Sequence, residues 1–307
     1  MTTMNERAAA IADRIEADAT RFRAVVHRVA GARVIDCMAG GLEIGLLLAR
    51  ACLADSASVE LVPGDAGISV VVRTDDPVRA CLGSQYAGWQ VKADGYFAMG
   101  SGPMRALSGR EEILKQLKIS ESHIAAVGIL ETKTLPSPAA IETIVSKLPV
   151  EVERITLLFA PAASLPGTIQ VVSRSVETAL HKLHELKFDV TTINAGFGLA
   201  PLPPVAKDEL AAIGRTNDAI LYGGRVTLWL KAEQDAIDEI GPKVPSNASK
   251  DHGARFAELF ARYGDFYKID PMLFSPAEVT FVNLGTGIAR TFGRLEPELL
   301  KASFAAV

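Results

Sequence analysis

The sequence predicts an α/β chain, shading into α+β, folded as two lobes, and three observations lead there. Short runs rich in Val and Ile alternate with stretches of helix formers along the whole chain, the pattern of strands layered with helices. The 307 residues are about twice a common domain length. None of the glycine-rich stretches fits the dinucleotide fingerprint, so neither lobe reads as a standard Rossmann fold. Length alone places a boundary near residue 150, giving lobes of 1–150 and 151–307 with the C-terminal segment free to return to the first. No compositional break marks that boundary.

The elements follow in order. Residues 6–28 space Ala, Ile, Phe and Val among Arg, Glu and Asp as an amphipathic helix does. A short strand at 32–35 runs into a glycine turn and a buried helix over 42–53. Segments 58–62 and 68–73, dominated by Val and Ile, form two strands joined through Pro63, Gly64, Asp65 and Gly67. Thr74 and Pro77 open a helix. A strand over 90–97 ends in a glycine loop at 99–103. Two βα units follow: strand 124–130 with helix 137–147, then strand 152–159 with a turn cluster at 160–167. Helix 173–186, a strand at 190–193, a glycine and proline passage over 194–204, helix 207–216 and strands within 219–230 come next. Helix 255–263 and strand 278–283 complete the reading.

Composition excludes several classes of function. Thirty-two Lys and Arg stand against 36 Asp and Glu, for a net charge of −4, which is not the basic footprint that nucleic-acid phosphates demand. Cys37, Cys52 and Cys81 form no CxxC pair or Cys/His ladder and read as buried thiols, so no metal site is expected. No apolar run approaches the roughly 20 residues of a membrane span and no signal-peptide core is visible, so a cytoplasmic location without membrane partners is expected.

The glycine stretches AGGLEIG (39–45), GFG (196–198) and GTGIARTFG (285–293) fall short of a nucleotide site. Each reads first as a tight turn before a packed element. The helix SRSVETALHKLH (173–184) is more informative. Val176, Leu180 and Leu183 recur at helical spacing, and Arg174 and Glu177, three apart, share a face that His181 and His184 extend. Pattern alone favours a solvated face with a surface ion pair worth under about 1 kcal/mol. Turned into a cleft, the same carboxylate beside a guanidinium is a proton acceptor. Ser101, between glycines, is either a loop hydroxyl bonded to nearby backbone or a ligand contact. Asp251 and His252 are candidates for a polar site.

Five words of the sequence are distinctive: ACLGSQYAGW (80–89), YFAMGSGPMRAL (96–107), GRTNDAILYGG (214–224), SNASKDHG (246–253) and DFYKIDPMLFSPA (265–277). Together, in this order and over nearly the whole chain, they resemble the methenyltetrahydromethanopterin cyclohydrolase family of one-carbon metabolism in methanogens and methylotrophic bacteria. The resemblance implies two α/β lobes with a pocket between them, no prosthetic group, and a homo-oligomer, usually a trimer. It implies reversible hydrolysis of the methenyl bridge of a tetrahydropterin, which is the substrate, to an N5-formyl group. An Arg-x-x-Glu pair serves that chemistry, matched here by Arg174 and Glu177, and a lysine ahead of YFAMGSGP is matched nearest by Lys92. Candidates for holding the pterin, all within the five words, are Tyr96, Ser101, Thr216, Asn217 and Asp218. The competing readings are another pterin or folate one-carbon enzyme and a non-catalytic pterin-binding protein.

Overall fold

The amphipathic opening stretch is helical for less of its length than its periodicity suggests. In this computed structural model, which describes residues 2–264 and 268–305, α1 (Met4–Ala17) starts on a capping box. The Thr3 hydroxyl accepts from the Glu6 N–H and the Glu6 carboxylate accepts from the Thr3 N–H, satisfying two orphan donors. A one-turn α2 (Ala19–Phe22) stops at Arg23, whose φ of 54° is left-handed. The end of the expected helix is instead strand β1 (Val25–Val29), where three valines favour extended backbone. It pairs antiparallel with β2 (Ala32–Asp36). As expected, β2 leads through a glycine turn into the buried α3 (Leu42–Cys52), and β3 (Ser58–Gly64) and β4 (Gly67–Thr74) form an antiparallel pair.

Beyond Pro77 the chain forms an eight-residue π-helix, Val78–Gln85, rather than an α-helix. The single strand expected over 90–97 is a hairpin of β5 (Trp89–Ala93) and β6 (Tyr96–Ser101). It turns at Asp94 and Gly95, with φ of 44° and 78°, the left-handed pair that an Asp-Gly hairpin favours. The glycine loop expected from Met99 is therefore strand as far as Ser101. Next come α4 (Met104–Ser108), α5 (Glu112–Gln116), β7 (Ala126–Glu131), and α6 (Pro138–Val145), capped by the Ser137 hydroxyl. They lead to β8 (Ile155–Ala160) and to α7 (Leu165–Val172), which occupies part of the expected turn cluster. Then α8 (Ser175–Glu185) precedes β9 (Ile193–Pro201), a strand running straight through the glycine passage that read as a loop. The remainder is α9 (Glu209–Gly223), β10 (Arg225–Leu230), α10 (Gln234–Ile240), α11 (Phe256–Tyr263), β11 (Glu278–Asn283), β12 (Ala289–Gly293) and α12 (Pro297–Ala305). Residues 219–223, expected as strand, close α9 as helix. Asp265, Phe266 and Tyr267 of the fifth word lie outside the described residues.

The chain divides into two units that are interleaved in sequence. The first takes the chain to Ala57 together with Arg79–Gln170, and the second takes Ser58–Val78 together with the chain from Val171 onward, including the C-terminal segment. Each holds one six-stranded mixed sheet. In the first the order is β1-β2-β8-β7-β6-β5, with β2, β8 and β7 parallel. Ile35, Leu158, Val127 and Ile129 pack with residues of α1 and α3 such as Ile11 and Leu48. Their strand neighbours Val34, Leu157 and Leu130 pack on the opposite face with Met104 of α4 and Ile141 of α6. That alternation makes the sheet the middle of three layers. In the second unit the order is β12-β11-β10-β9-β4-β3, parallel only between β10 and β11. Helix α8 packs on β9 and β10, while α9, α11 and α12 share a cluster built on Leu221, Tyr222, Phe256, Leu259 and Leu300.

Candidate active site

Helix α8 carries the pair the sequence singled out. Its apolar stripe of Val176, Ala179, Leu180 and Leu183 is fully buried, and Arg174 is its N-cap residue. Arg174 is 7% exposed and Glu177 5%, so the pair does not lie on the solvated face that spacing alone favours. The Arg174 Nη1 and Glu177 Oε2 atoms stand 3.9 Å apart. This is an ion pair and exceeds direct hydrogen-bond length. Removing two charges from water costs several kcal/mol per ion unless close hydrogen bonds repay it. A buried, charged pair within one turn of a helix is a candidate for chemistry. The first helical turn, where Glu177 sits, favours a carboxylate through the helix dipole. Further along, His181 faces Glu185 at 3.9 Å, and burial pushes the His184 pKa down against the attraction of Glu185.

Sequence reasoning missed Lys182 on the same helix. It is 2% exposed, and its ammonium donates to the Met272 carbonyl. Burial brings its pKa down to about 8, opposed by Asp270. No pattern in the local sequence marks it, because a lysine at helical spacing ordinarily keeps its charge in water.

In the first unit the hairpin separates two of the named residues. Lys92 pairs across with Phe97 and both are exposed, the ammonium lying 5.7 Å from the ring centroid. Tyr96 pairs with Ala93 and packs on the other face, in the core with Trp89 and Met104. Burial pushes its hydroxyl pKa up to about 12, with Thr132 opposing that shift. Ser101 is fully buried, with its Oγ 3.3 Å from Cys52 Sγ and 3.5 Å from the Ile129 carbonyl. The Gln170 amide donates to the same sulfur at 3.3 Å, and the Ser84 hydroxyl donates to the Cys52 carbonyl at 2.6 Å. This polar cluster draws on residues 52, 84, 101 and 170, too scattered for any local spacing to show. All three cysteines are buried thiols outside any disulfide.

The buried Arg105 organises the π-helix beside that cluster. Its Nη1 donates to the carbonyls of Leu82 (3.0 Å) and Ser84 (3.2 Å). Its Nε and Nη2 close on Glu111 at 2.8 and 2.5 Å, and the guanidinium lies 5.0 Å from the Tyr86 ring centroid.

In the second unit the three polar residues of α9 are engaged by the chain itself. The Thr216 hydroxyl donates to the Ala212 carbonyl and the Asn217 amide to Ile213, each at 2.8 Å. Asp218 is 1% exposed. It accepts from the Phe256 N–H at 2.9 Å and from the Ser303 hydroxyl at 2.6 Å, tying α9 to α11 and α12. Burial pushes its pKa up to about 6 against both hydrogen bonds. Asp251 accepts from the Tyr263 hydroxyl and the Asp270 N–H. The His252 ring meets Tyr222 edge-on, and burial pushes its pKa down while Glu296 opposes. Among the described residues no group of three His, Cys, Asp or Glu side chains is placed to hold a metal ion, and no helix is long and apolar enough to cross a membrane.

A family model described as Cyclohydrolase (MCH) matches residues 3–304. The chain belongs to the methenyltetrahydromethanopterin cyclohydrolase family. Relatives that carry that name include a protein of Rhodopirellula baltica, 52% identical over 92% of this chain and 89% of its own length. One of Methylobacterium nodulans is 41% identical over 99% of this chain and 98% of its own. One of Methanosphaerula palustris is 40% identical over 99% of each. Two arginine–glutamate pairs in this cyclohydrolase-family chain contrast with each other. Arg105 and Glu111 are closed in a bidentate contact that suits a structural clamp. Arg174 and Glu177 are both buried, with Nη1 and Oε2 3.9 Å apart.

Proposed function

We propose that this protein catalyses the reversible hydrolysis of the methenyl bridge of methenyltetrahydromethanopterin to N5-formyl-tetrahydromethanopterin, with Glu177 and Arg174 as its catalytic pair. The observation that carries the reading is the burial of this Arg-x-x-Glu pair in a chain that matches the cyclohydrolase family almost end to end. The substrate's bridging carbon belongs to an amidinium cation and is already electrophilic. The enzyme's task is to place one water, take its proton as the C–O bond forms, and protonate N10 as the C–N10 bond breaks. Glu177 takes the water proton and passes it to N10. The remaining hydroxyl then loses its proton to leave the formyl group, so one proton is released overall. In its ionised form Glu177 also attracts the substrate cation, and Arg174 at 3.9 Å favours that form.

For the pterin, the exposed Lys92 offers an ammonium to an anionic group of the tail, and Asn217 offers an amide to the ring edge. Tyr96, Ser101, Thr216 and Asp218 are buried, and each acts indirectly, by holding the elements of its own unit in place. The reading carries with it a homotrimer that works in the cytoplasm without a prosthetic group.

The test follows the methenyl absorbance with purified protein and no added nucleotide. The wild-type trimer is expected to consume the substrate, and Glu177→Gln to lower kcat by about a hundredfold or more, as loss of a general base does. A wild-type protein that binds the pterin and leaves it intact ends the reading. Near-normal turnover in the variant removes Glu177 from its role.

A further inference from the structure

Two glycines in the middle of a strand need a physical reason, because glycine there forfeits packing and adds entropy cost. Gly196 and Gly198 lie two apart in β9 and so share one face of the strand. Neither has a left-handed φ, so backbone conformation does not require them. Space does. A Cβ at Gly196 would stand 2.8 Å from Val176 Cγ1, and one at Gly198 would overlap Ser175 Oγ and stand 2.8 Å from Val176 Cγ2. Val176 is fully buried and β-branched, so it has one comfortable rotamer in a helix and cannot swing away. The buried Ser175 hydroxyl makes no hydrogen bond, so packing alone sets this approach. Ser175 and Val176 are the two residues between Arg174 and Glu177.

We propose that Gly196 and Gly198 are positioning residues for the Glu177 carboxylate. Their missing side chains let the first turn of α8 seat directly on β9, and that seat fixes where the carboxylate stands. The inference rests on the reading of Glu177 given above. A misplacement of about 1 Å at a reacting group costs on the order of a hundredfold in rate. Gly198→Ala, which meets both neighbours, is expected to lower kcat by roughly 10- to 100-fold with KM within about threefold. Gly196→Ala meets only Val176 closely, and its fall is smaller. Adding Val176→Ala to Gly196→Ala moves the bulk from helix to strand. The next neighbours of the new Cβ then stand at 3.6 and 3.7 Å, ordinary contact, and kcat is expected to return to within about threefold of Val176→Ala alone.

The decisive measurement repeats Gly198→Ala in a Glu177→Gln background at high enzyme concentration. Acting through the carboxylate, the glycine change lowers kcat there by less than about threefold. An equal fall in both backgrounds overturns the positioning role and leaves the function of Glu177 intact. Wild-type turnover in Glu177→Gln alone overturns both. If Gly198→Ala does not fold, Gly196→Ala in both backgrounds, with its Val176→Ala rescue, carries the same test. A rise in KM at unchanged kcat also overturns the proposal.

Discussion

Asp218 is a carboxyl group enclosed by α9, α11 and α12, and its burial carries a pH dependence with a definite sign. The folded protein holds its proton up to about pH 6, whereas an unfolded chain releases it near pH 4. Across that window the folded state binds more protons, so this group's contribution is fully present at the acid end and is lost as pH rises, by on the order of 3 kcal/mol. Asp218→Asn keeps an oxygen for the Phe256 N–H without a charge. The Tm difference between this variant and wild type is therefore expected to shift in the variant's favour from pH 4 to pH 7; a pH-independent difference refutes the account. Asp218→Ala strands the Phe256 N–H and the Ser303 hydroxyl together and is expected to cost about 2–4 kcal/mol. Residue-scale chemistry was only half legible in the sequence. The spacing of Arg174 and Glu177 puts them on one face, but that this face is buried follows from the packing of α8, which no local pattern reports. Lys182 was hidden for the same reason.

Elements were legible where a local rule decides them. Ser137 and Pro138 open α6 as a capping residue and proline should, and the Val and Ile runs of β3, β4 and β11 are strands. The hairpin at Asp94 and Gly95 carried a readable signal, its Asp-Gly turn, inside a stretch read as continuous. Strand β9 was obscured because Gly196 and Gly198 look like loop residues, and their reason lies on another element. The π-helix at Val78–Gln85 had no signal at all, since its distinction from an α-helix is a register of backbone bonds. Arg105 holds its last carbonyls from outside. Arg105→Lys keeps the charge but loses the planar fork that serves Glu111 and two carbonyls together. It is expected to cost about 3 kcal/mol and lower Tm by roughly 6–12 °C in calorimetry. Melting like wild type would show that the fork is dispensable.

At the scale of the whole molecule, the α/β class and the pair of lobes could be read from length and alternation, but the path of the chain between the units could not. Positions 57, 78 and 170 carry no change in composition, because each crossing links ordinary elements. A cut at residue 150 tests that path. It would take β8 from between β2 and β7, and leave β9 without β4, its hydrogen-bonded neighbour. The pieces 1–150 and 151–307 expressed separately are each expected to be insoluble or rapidly degraded by protease. Two soluble, protease-resistant halves would contradict the interleaving. The pairing of β4 with β9 also reaches into biosynthesis. More than a hundred residues separate those strands, so at ordinary ribosomal speed the Val-rich ribbon emerges on the order of ten seconds before its partner. During that interval it presents an unsatisfied, sticky edge to the cell, which makes this stretch a natural client site for a chaperone on the nascent polypeptide.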